Sequence, residues 1–380
     1  MERYYLAIDI GASSGRHMLG HIENGKMILE EIWRFENGMK DREGSLCWDL
    51  DALFEEIKTG MKRCKELGKI PVSMGIDTWA VDYVLLDEKD QVLGKTYGYR
   101  DGRTQGVDED VYKIISEEEL YSRTGIQKQS FNTIYQLMAV KKNNPEHLKA
   151  AKNFLMLPDY FHFLLTGQKC SEYTNATSTQ LINAQTNDWD RELIERLGYP
   201  QEMFLPLSQP GTLVGSFTKE IEEEVGFSCE VVLPATHDTG SAVMAVPGEG
   251  DKNLYISSGT WSLMGIENKT AICTEESRKR NFTNEGGYEY RYRYLKNIMG
   301  LWMIQSVRKE LENKYSFAEL CAMASRRSDF PSRVDVNDPV FLAPDSMIRA
   351  IREMCAKTGH PVPETPDELA AVVYESLSDS

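Results

Sequence analysis

The sequence lacks an excess of positive charge. Lysine and arginine together number 43 against 59 aspartate and glutamate residues, so the 380-residue chain carries a formal charge of −16 at pH 7. A chain this acidic repels phosphate backbones at long range, which argues against nucleic acid and anionic membrane surfaces as main partners. One exception is local, because backbone N–H groups and a metal ion can hold a polyanion on an acidic protein.

The sequence also lacks paired cysteines and long apolar runs. Its seven cysteines are scattered and show no CxxC spacing, which argues against a disulfide framework and a zinc cage. No apolar run reaches the ~20 residues that a membrane helix needs, and the opening MERYYLAIDIG has no cleavable apolar core. We therefore expect a reduced, soluble, cytoplasmic protein that binds neither membrane nor nucleic acid. The pattern leaves the oligomeric state open.

The length and composition predict two globular domains. Hydrophobic residues make up 41% of the chain and charged residues 27%, which excludes wholesale disorder. At about 150 residues per domain, 380 residues fit two domains. Strands and helices alternate near the start, as in a layered α/β protein. We place the domains at residues 1–245 and 246–380, with a short crossing around PGEGD.

Local signals set out the first elements. The opening predicts a strand, a tight turn at residues 12–15 and further strands, with Asn24-Gly25 as a hairpin turn. Asp49 is a plausible N-cap for a helix that Gly68 ends. Residues 110–200 and the closing third are mostly helical in pattern, whereas residues 229–266 are mostly strand-like.

Two segments share one plan of apolar strand, small hydroxyl-rich turn and second strand. They are LAIDIGASSGRHMLG near the start and LYISSGTWSLMG near residue 260, with Gly11 and Gly259 at comparable positions. The echo favours a duplicated α/β architecture with a cleft between the copies. Ordinary glycine-serine hairpins explain the spacing equally well.

The first turn, Gly11 to Gly15, offers successive backbone N–H groups with little side-chain bulk, as an anion-binding turn requires. It is not a Walker motif, because no Lys-Ser or Lys-Thr follows, and a strand after it argues against a dinucleotide fingerprint. Asp9 at the end of the preceding strand suits a Mg²⁺ ion held through water. Alternatively, Asp9 simply stabilises its own turn.

The segment PATHDTGSAVMAV places His237 and Asp238 at the end of an apolar strand, with a helix beginning at Thr239. Phosphoryl transfer to a hydroxyl needs positioning, charge neutralisation and a carboxylate that takes the proton. Asp238 suits that role. From the residues alone, the commoner use of such an aspartate as a helix N-cap is the preferred interpretation.

A set of motifs along the chain resembles one known family. The motifs are DIGASSGR, GIDTWAVDYVLLD, YRDGRT, LPDYFHFLLTG, EYTNATSTQL, HDTGSAV, YISSGTWSLMG, TNEGG and LKNIMGLW. Their kinds and order resemble the FGGY carbohydrate kinases, and among these the members that act on L-rhamnulose. The resemblance extends from Met1 to about Ser376. It implies a duplicated actin-like, ribonuclease-H-like fold and phosphorylation of L-rhamnulose by ATP to L-rhamnulose 1-phosphate, with ATP and Mg²⁺ as cofactors.

The resemblance also implies site residues. It places the catalytic proton acceptor at Asp238, which reverses the N-cap interpretation. The implied ATP contacts are Ala12, Ser13, Ser14, Gly15, Arg16, Thr260 and Gln305. The implied sugar contacts are Ala80, His237, Asp238, Thr239 and Asn297. Ala80 stands where the family commonly has glycine, so a methyl group there narrows the sugar pocket.

Further polar residues near these motifs allow two interpretations. Asp77, Asp82, Asp101 and Arg103 could bind sugar or magnesium, but capping of turns and surface ion pairs are expected for two or three of them. Trp79 and Trp302 could pack on the apolar face of the sugar or belong to the core.

The sequence departs from the family pattern at its end. The glycine-rich turn that cradles adenosine in the family has no counterpart here, so we expect an incomplete second domain that binds the sugar more nearly normally than ATP. Thr365 begins a helix with an apolar stripe, and we expect loss of the following elements to weaken its packing. The alternative function is a non-catalytic or weakly active actin-like sugar-binding remnant.

Overall fold

The computed structural model describes residues 3–248, 253–259, 261–342 and 344–380, apart from the side chain of Trp261. The strands in these residues are β1 (Tyr4–Ile10), β2 (Ser14–Glu23), β3 (Lys26–Glu36), β4 (Lys40–Arg42), β5 (Ser45–Cys47), β6 (Pro71–Thr78), β7 (Tyr83–Leu86), β8 (Asn153–Met156), β9 (Ser171–Glu172), β10 (Ile182–Asn183), β11 (Asp188–Trp189), β12 (Leu207–Ser208), β13 (Leu213–Ser216), β14 (Glu230–Val232), β15 (Leu254–Ser258), β16 (Trp261–Asn268), β17 (Phe282–Gly286) and β18 (Tyr292–Met299). The helices are α1 (Leu50–Glu66), α2 (Asp108–Tyr112), α3 (Glu117–Thr124), α4 (Thr133–Asn143), α5 (Pro145–Ala150), α6 (Leu157–Thr166), α7 (Tyr173–Thr177), α8 (Arg191–Leu197), α9 (Lys219–Val225), α10 (Asp238–Met244), α11 (Glu275–Lys279), α12 (Trp302–Glu310), α13 (Phe317–Arg326), α14 (Met347–Lys357) and α15 (Pro366–Asp379).

The chain divides into two compact units. The first comprises Met1–Asn253 and Glu267–Tyr294, and the second comprises Leu254–Ile266 and Leu295–Ser380. The division falls inside β16 and β18, which belong to a four-stranded sheet of order β15-β16-β18-β17. The predicted domain boundary at residue 245 stays a prediction.

A six-stranded mixed sheet of order β13-β14-β6-β1-β2-β3 organises the first unit. The predicted strand–turn–strand opening is confirmed, since β1 pairs antiparallel with β2. The predicted Asn24-Gly25 hairpin is also confirmed: both residues have positive φ, 50° and 76°, as the favoured two-residue hairpin turn requires. On its other side β1 pairs in parallel with β6, and β6 in turn pairs in parallel with β14.

Helix α1 covers one face of this sheet. The Asp49 carboxylate accepts a hydrogen bond from the Ala52 N–H, which confirms the predicted N-cap, and Gly68 at φ +67° follows the helix end. Ile8 on β1 and Ile57 on α1 have no solvent-exposed surface. At about 1.5–3 kcal/mol for each large apolar side chain, this burial fixes which face of β1 points inward. The polar side chains at the strand ends are therefore fixed in position as well.

Helices α12 to α15 enclose a core of their own in the second unit. The predicted start of α15 is confirmed, since Thr365 and Glu368 form a reciprocal capping box. The expectation that its stripe loses cover is wrong for the core positions: Val372 and Val373 are fully buried, and α15 packs against α13 and α12. The stripe packs against helices that precede α15 in the chain.

The chemistry of the cysteines agrees with their spacing. All seven are unpaired thiols, as the scattered pattern predicts. In the described ranges, no helix combines the length and apolar character that crossing a membrane requires. The cytoplasmic location stays a prediction.

Candidate active site

The candidate site lies at the ends of two neighbouring parallel strands of the first unit. Asp9 on β1 is the register partner of Asp77 on β6. The next residue on β6, Thr78, forms a parallel bridge with His237, and its N–H donates to the Thr236 carbonyl at 3.0 Å. Carboxyl ends of adjacent parallel strands meet at one edge of a sheet, so three separate motifs converge there.

The turn between β1 and β2 adjoins Asp9. The Gly11 N–H donates to the Ser14 carbonyl at 2.9 Å and closes the turn. Among the described residues, the N–H groups of Ala12 and Ser13 have no acceptor, and Ser13 is exposed. Gly15 is required by packing, because a Cβ there would lie 2.1 Å from the Phe35 ring. In the part of the chain that the structure describes, the turn thus has two backbone donors without an acceptor, as an anion-binding turn needs.

Asp9 lies between a cation and a second acid. Its carboxylate is 3.2 Å from the Arg16 guanidinium, which follows from the direct pairing of these residues across β1 and β2. On the other side, burial and then the charges of Asp9 and Asp238 hold the pKa of Asp77 well above its usual range. This raised pKa favours the neutral form of the Asp77 carboxyl group.

Asp238 is the first residue of α10, with His237 at the N-cap position. The helix therefore begins one residue earlier than predicted, and the interpretation of Asp238 as an N-cap is wrong. Its carboxylate accepts a hydrogen bond from the Thr239 N–H, and its side chain is 32% exposed, so a ligand can reach it. Burial, reinforced by the charges of Asp9 and Glu285, raises the pKa of Asp238 to about 7. A carboxylate with this pKa is suited to accept a proton near neutral pH.

A buried arginine holds the two neighbours of Asp238. Arg293 on β18 has no exposed surface. Its guanidinium donates to the Nδ1 atom of His237 at 2.9 Å and to the Oγ1 atom of Thr239. It lies 3.3 Å from a carboxylate oxygen of Glu285 on β17. Burial and the Arg293 charge lower the pKa of His237 well below its usual value, so the imidazole is neutral.

A residue of the motif EYTNATSTQL, Glu172, holds the backbone just before His237. The buried carboxylate of Glu172 accepts hydrogen bonds from the N–H and hydroxyl of Thr236 at 3.0 and 2.8 Å. It also accepts from the N–H of Thr174 at 2.8 Å and so caps α7. The role of Glu172 is thus to fix the backbone that leads into His237.

The polar residues around β7 have structural roles. Asp82 is buried and accepts hydrogen bonds from the indole N–H groups of Trp48 and Trp79 at 2.6 and 2.9 Å. Asp101 caps the short turn that follows it in the chain, because its carboxylate accepts a hydrogen bond from the Arg103 N–H at 3.0 Å. For Trp79 the core interpretation is supported, since only 7% of its surface is exposed.

The remaining predicted contacts divide between the two units. Ala80 follows β6 by two residues in the first unit and is partly exposed. Asn297 on β18 and Gln305 on α12 are both half-buried and belong to the second unit. Thr260 lies outside the described residues. The structure therefore brings together Asp9, Arg16 and the segment of His237, Asp238 and Thr239.

The carboxylates at the strand ends fit a hard cation. Asp9 and Asp238 present oxygen atoms, the ligands that Mg²⁺ prefers, and both are partly exposed. They are close enough that the charge of Asp9 raises the pKa of Asp238. A divalent cation would relieve this repulsion.

A second cluster of metal-ligand atoms does not fit a metal. Asp159, His162 and Cys170 offer ligand atoms within 4.8 Å of one another. The Nε2 atom of His162 accepts a hydrogen bond from the Ile76 N–H at 3.0 Å, so the proton resides on Nδ1. A metal-bound imidazole carries its proton on the other nitrogen and donates with it. The cluster is therefore a buried polar contact.

Sequence reasoning missed two members of the site. Glu285 lies inside the quoted motif TNEGG, yet no role was assigned to it, and Arg293 lies in a run of alternating tyrosines and basic residues. The alternation indicates a strand but not which arginine turns inward. A buried charge is recognised only when its partners from α10 and β17 are known.

Comparisons with known proteins agree with the resemblance found in the sequence. The N-terminal domain of the FGGY family of carbohydrate kinases matches residues 4–245, and the C-terminal domain matches residues 254–379. The chain is 57% identical over 377 residues to the rhamnulokinase of Halalkalibacterium halodurans, covering 99% of this chain and 80% of that protein. It is 44% identical to the rhamnulokinase of Bacillus subtilis, covering 98% of this chain and 77% of that protein.

Solved structures show the same fold at low sequence identity. A xylulose kinase from Rhodospirillum rubrum aligns with a TM-score of 0.78 at 17% identity, covering 99% of this chain and 77% of that one. A ligand-bound xylulose kinase from Lactobacillus acidophilus gives 0.77 at 16%, with coverage of 99% and 76%. The expected actin-like, ribonuclease-H-like sugar-kinase fold is confirmed. By both domain matches and the identity to its relatives, the chain belongs to the FGGY family of carbohydrate kinases.

Proposed function

We propose that this protein is an ATP-dependent kinase of L-rhamnulose that phosphorylates the 1-hydroxyl group. Relatives called rhamnulokinase, at 42–57% identity over nearly the whole chain, support the substrate. The chemistry is supported by one observation: the carboxylate of Asp238 is accessible at the strand ends of the site and has a pKa of about 7. No comparison favours the alternative of a non-catalytic sugar-binding remnant.

The base is the central element of the proposed reaction. Asp238 takes the proton of the sugar hydroxyl as the oxygen attacks the terminal phosphorus of ATP. The bond from that phosphorus to the bridging oxygen breaks, and ADP leaves. Thr239 binds a sugar oxygen beside it, and His237, only 8% exposed, supports Thr239 from the buried side.

The phosphates are proposed to lie on the turn of residues 11–15. The N–H groups of Ala12 and Ser13, which have no acceptor among the described residues, would bind an anion, and Arg16 adds a positive charge next to Asp9. Asp9, reached through water, would hold Mg²⁺, which supplies neutralisation of the phosphate charge. Gln305, Thr260 and Asn297 are the further proposed contacts.

The proposal is tested by ADP release in a coupled assay with ATP, Mg²⁺ and L-rhamnulose, beside xylulose and glycerol as competing acceptors. We expect the highest kcat/KM with L-rhamnulose. Asp238→Asn keeps an oxygen for the Thr239 N–H but loses the base, so kcat should fall about 100-fold or more. Asp108→Asn is the matched control, since Asp108 likewise begins a helix, and its turnover should match the wild type. Turnover by Asp238→Asn at the wild-type rate would remove the proposed base.

A further inference from the structure

The hydrogen bonds around Arg293 determine where the proton of His237 resides. An arginine side chain donates only and keeps its charge in proteins. Because Arg293 donates to Nδ1 of His237, this nitrogen carries no proton. The neutral imidazole must then carry its proton on Nε2. That nitrogen lies 3.1 Å from the Oγ1 atom of Thr239 and donates to it.

The same network determines the direction of the Thr239 hydroxyl. Its oxygen accepts from His237 and from the second guanidinium nitrogen of Arg293, so both lone pairs are engaged. Within the described ranges its hydrogen is not donated to any acceptor in a hydrogen bond. Thr239 is partly exposed at the strand edge beside Asp238. Its hydroxyl is therefore left as a donor toward a bound ligand.

We propose that Arg293 is a positioning residue that makes Thr239 an obligate hydrogen-bond donor to an acceptor oxygen of the sugar. This inference rests on the proposed function and extends it, since neither the motifs nor the family match assigns a role to Arg293. The Thr239 hydroxyl recognises an oxygen with a free lone pair, such as a carbonyl or hydroxyl oxygen. It discriminates against a protonated amine at the same place.

Glu285 shows what the arginine prevents. One oxygen of its buried carboxylate lies 3.5 Å from Nδ1 of His237 and 3.3 Å from the Arg293 guanidinium, and among the described residues it has no hydrogen-bond partner. If Arg293 were absent, Nδ1 would gain a proton and donate to Glu285. Nε2 would then become an acceptor and would draw the Thr239 hydroxyl away from the ligand. The arginine thus selects one of two self-consistent arrangements of the same three side chains.

The proton position can be measured directly on the full chain. Long-range ¹H–¹⁵N correlation spectra of histidine-labelled protein distinguish a protonated from an unprotonated ring nitrogen, and His237→Asn identifies the signal. We expect Nε2–H in the wild type and in Arg293→Lys, and Nδ1–H in Arg293→Met. A wild-type signal from Nδ1–H would overturn the proposal. This result requires neither a variant nor a measurement of activity.

Kinetics test whether the effect passes through Thr239. One redirected hydrogen bond corresponds to about a tenfold loss, so kcat/KM for the sugar should fall about tenfold in Arg293→Met. Thr239→Val should give a similar loss, and the double variant should lose little more, because both changes remove one interaction. Thr239→Ser retains the hydroxyl and should restore most of the activity.

A matched control separates positioning from stability. Arg123 also pairs with a buried carboxylate, Asp190, at 2.7 Å, at a distance in sequence from the site. Arg123→Met should lower the melting temperature yet leave the His237 proton and the sugar KM unchanged. The proposal would be contradicted if the losses of kcat/KM for the sugar multiplied in the Arg293→Met, Thr239→Val double variant. It would also be contradicted if the proton of His237 kept its position in Arg293→Met. Absence of any wild-type sugar phosphorylation would instead contradict the proposed function.

Discussion

The carboxyl group of Asp238 should make the rate of phosphoryl transfer depend on pH in the neutral range. Burial raises its pKa from the ordinary value of 3.8 to about 7. Only the ionised form can take the proton of the sugar hydroxyl. Since the folded pKa is raised, the active form is lost as the pH falls through 7, far above the range in which an ordinary aspartate would be protonated.

The magnitude follows from the pKa. With a pKa of about 7, the ionised fraction is about 9% at pH 6, about 50% at pH 7 and about 91% at pH 8. The rate should therefore rise about tenfold from pH 6 to pH 8 and level off above. The charge of Glu285 contributes to raising the pKa of Asp238, so Glu285→Gln should move the rise to lower pH.

The assay is the initial rate of ADP release with both substrates below their KM values, because kcat/KM reports the ionisation of the free enzyme. Asp238→Asn is the control, since its residual rate retains only the pH dependence that ATP itself contributes. A wild-type profile that is flat between pH 6 and pH 8, or that falls with pH, would refute this account of Asp238. So would an unchanged profile in Glu285→Gln.

Two further predictions concern the structure that supports the site. Gly15→Ala should force the Phe35 ring to move, since the new Cβ would lie 2.1 Å from it; we expect a loss of about 1–3 kcal/mol in urea unfolding and a higher KM for ATP, whereas Gly38→Ala, with nothing within 4 Å, should be neutral. Burial lowers the pKa of His17 from 6.5 to about 4, so its contribution to stability is full above pH 6.5 and is lost as the pH falls toward 4. The unfolding free energy of wild type minus that of His17→Leu should be about 2 kcal/mol lower at pH 5 than at pH 7.5. An equal difference at both pH values would contradict the assignment.

Local signals in the sequence predicted many elements because their causes are local. The Asn24-Gly25 turn needs positive φ at both positions, and the Asp49 and Thr365 caps satisfy N–H groups within three residues. Each of these devices is complete within a few residues, so a single sequence reveals it. The partners of α15 were not predictable in this way, since burial of Val372 depends on helices that are distant in the chain.

The motifs of the site were predictable from the sequence, but the contacts among its residues were not. Asp238 was found from its motif, whereas its pKa depends on its burial and on the charges of Asp9 and Glu285, which are more than 200 and 40 residues away in the chain. Arg293 could not be found at all, because composition assigns arginine to the surface and the neighbouring Arg291 fits the same alternation. Only the packing of β18 beside His237 distinguishes the two arginines.

Sheet register is the physical reason that these distant residues act on one another. Asp9 and Asp77 are paired across β1 and β6, and the bridge between Thr78 and His237 brings Asp238 to the same edge. Because side chains alternate between faces, a slip of one residue in either pairing would move an aspartate to the opposite face of the sheet. The core contacts of Ile8, which fix the inward face of β1, therefore also fix the charge next to Asp238. In this protein the ionisation of the proposed base is a consequence of how the sheet is packed.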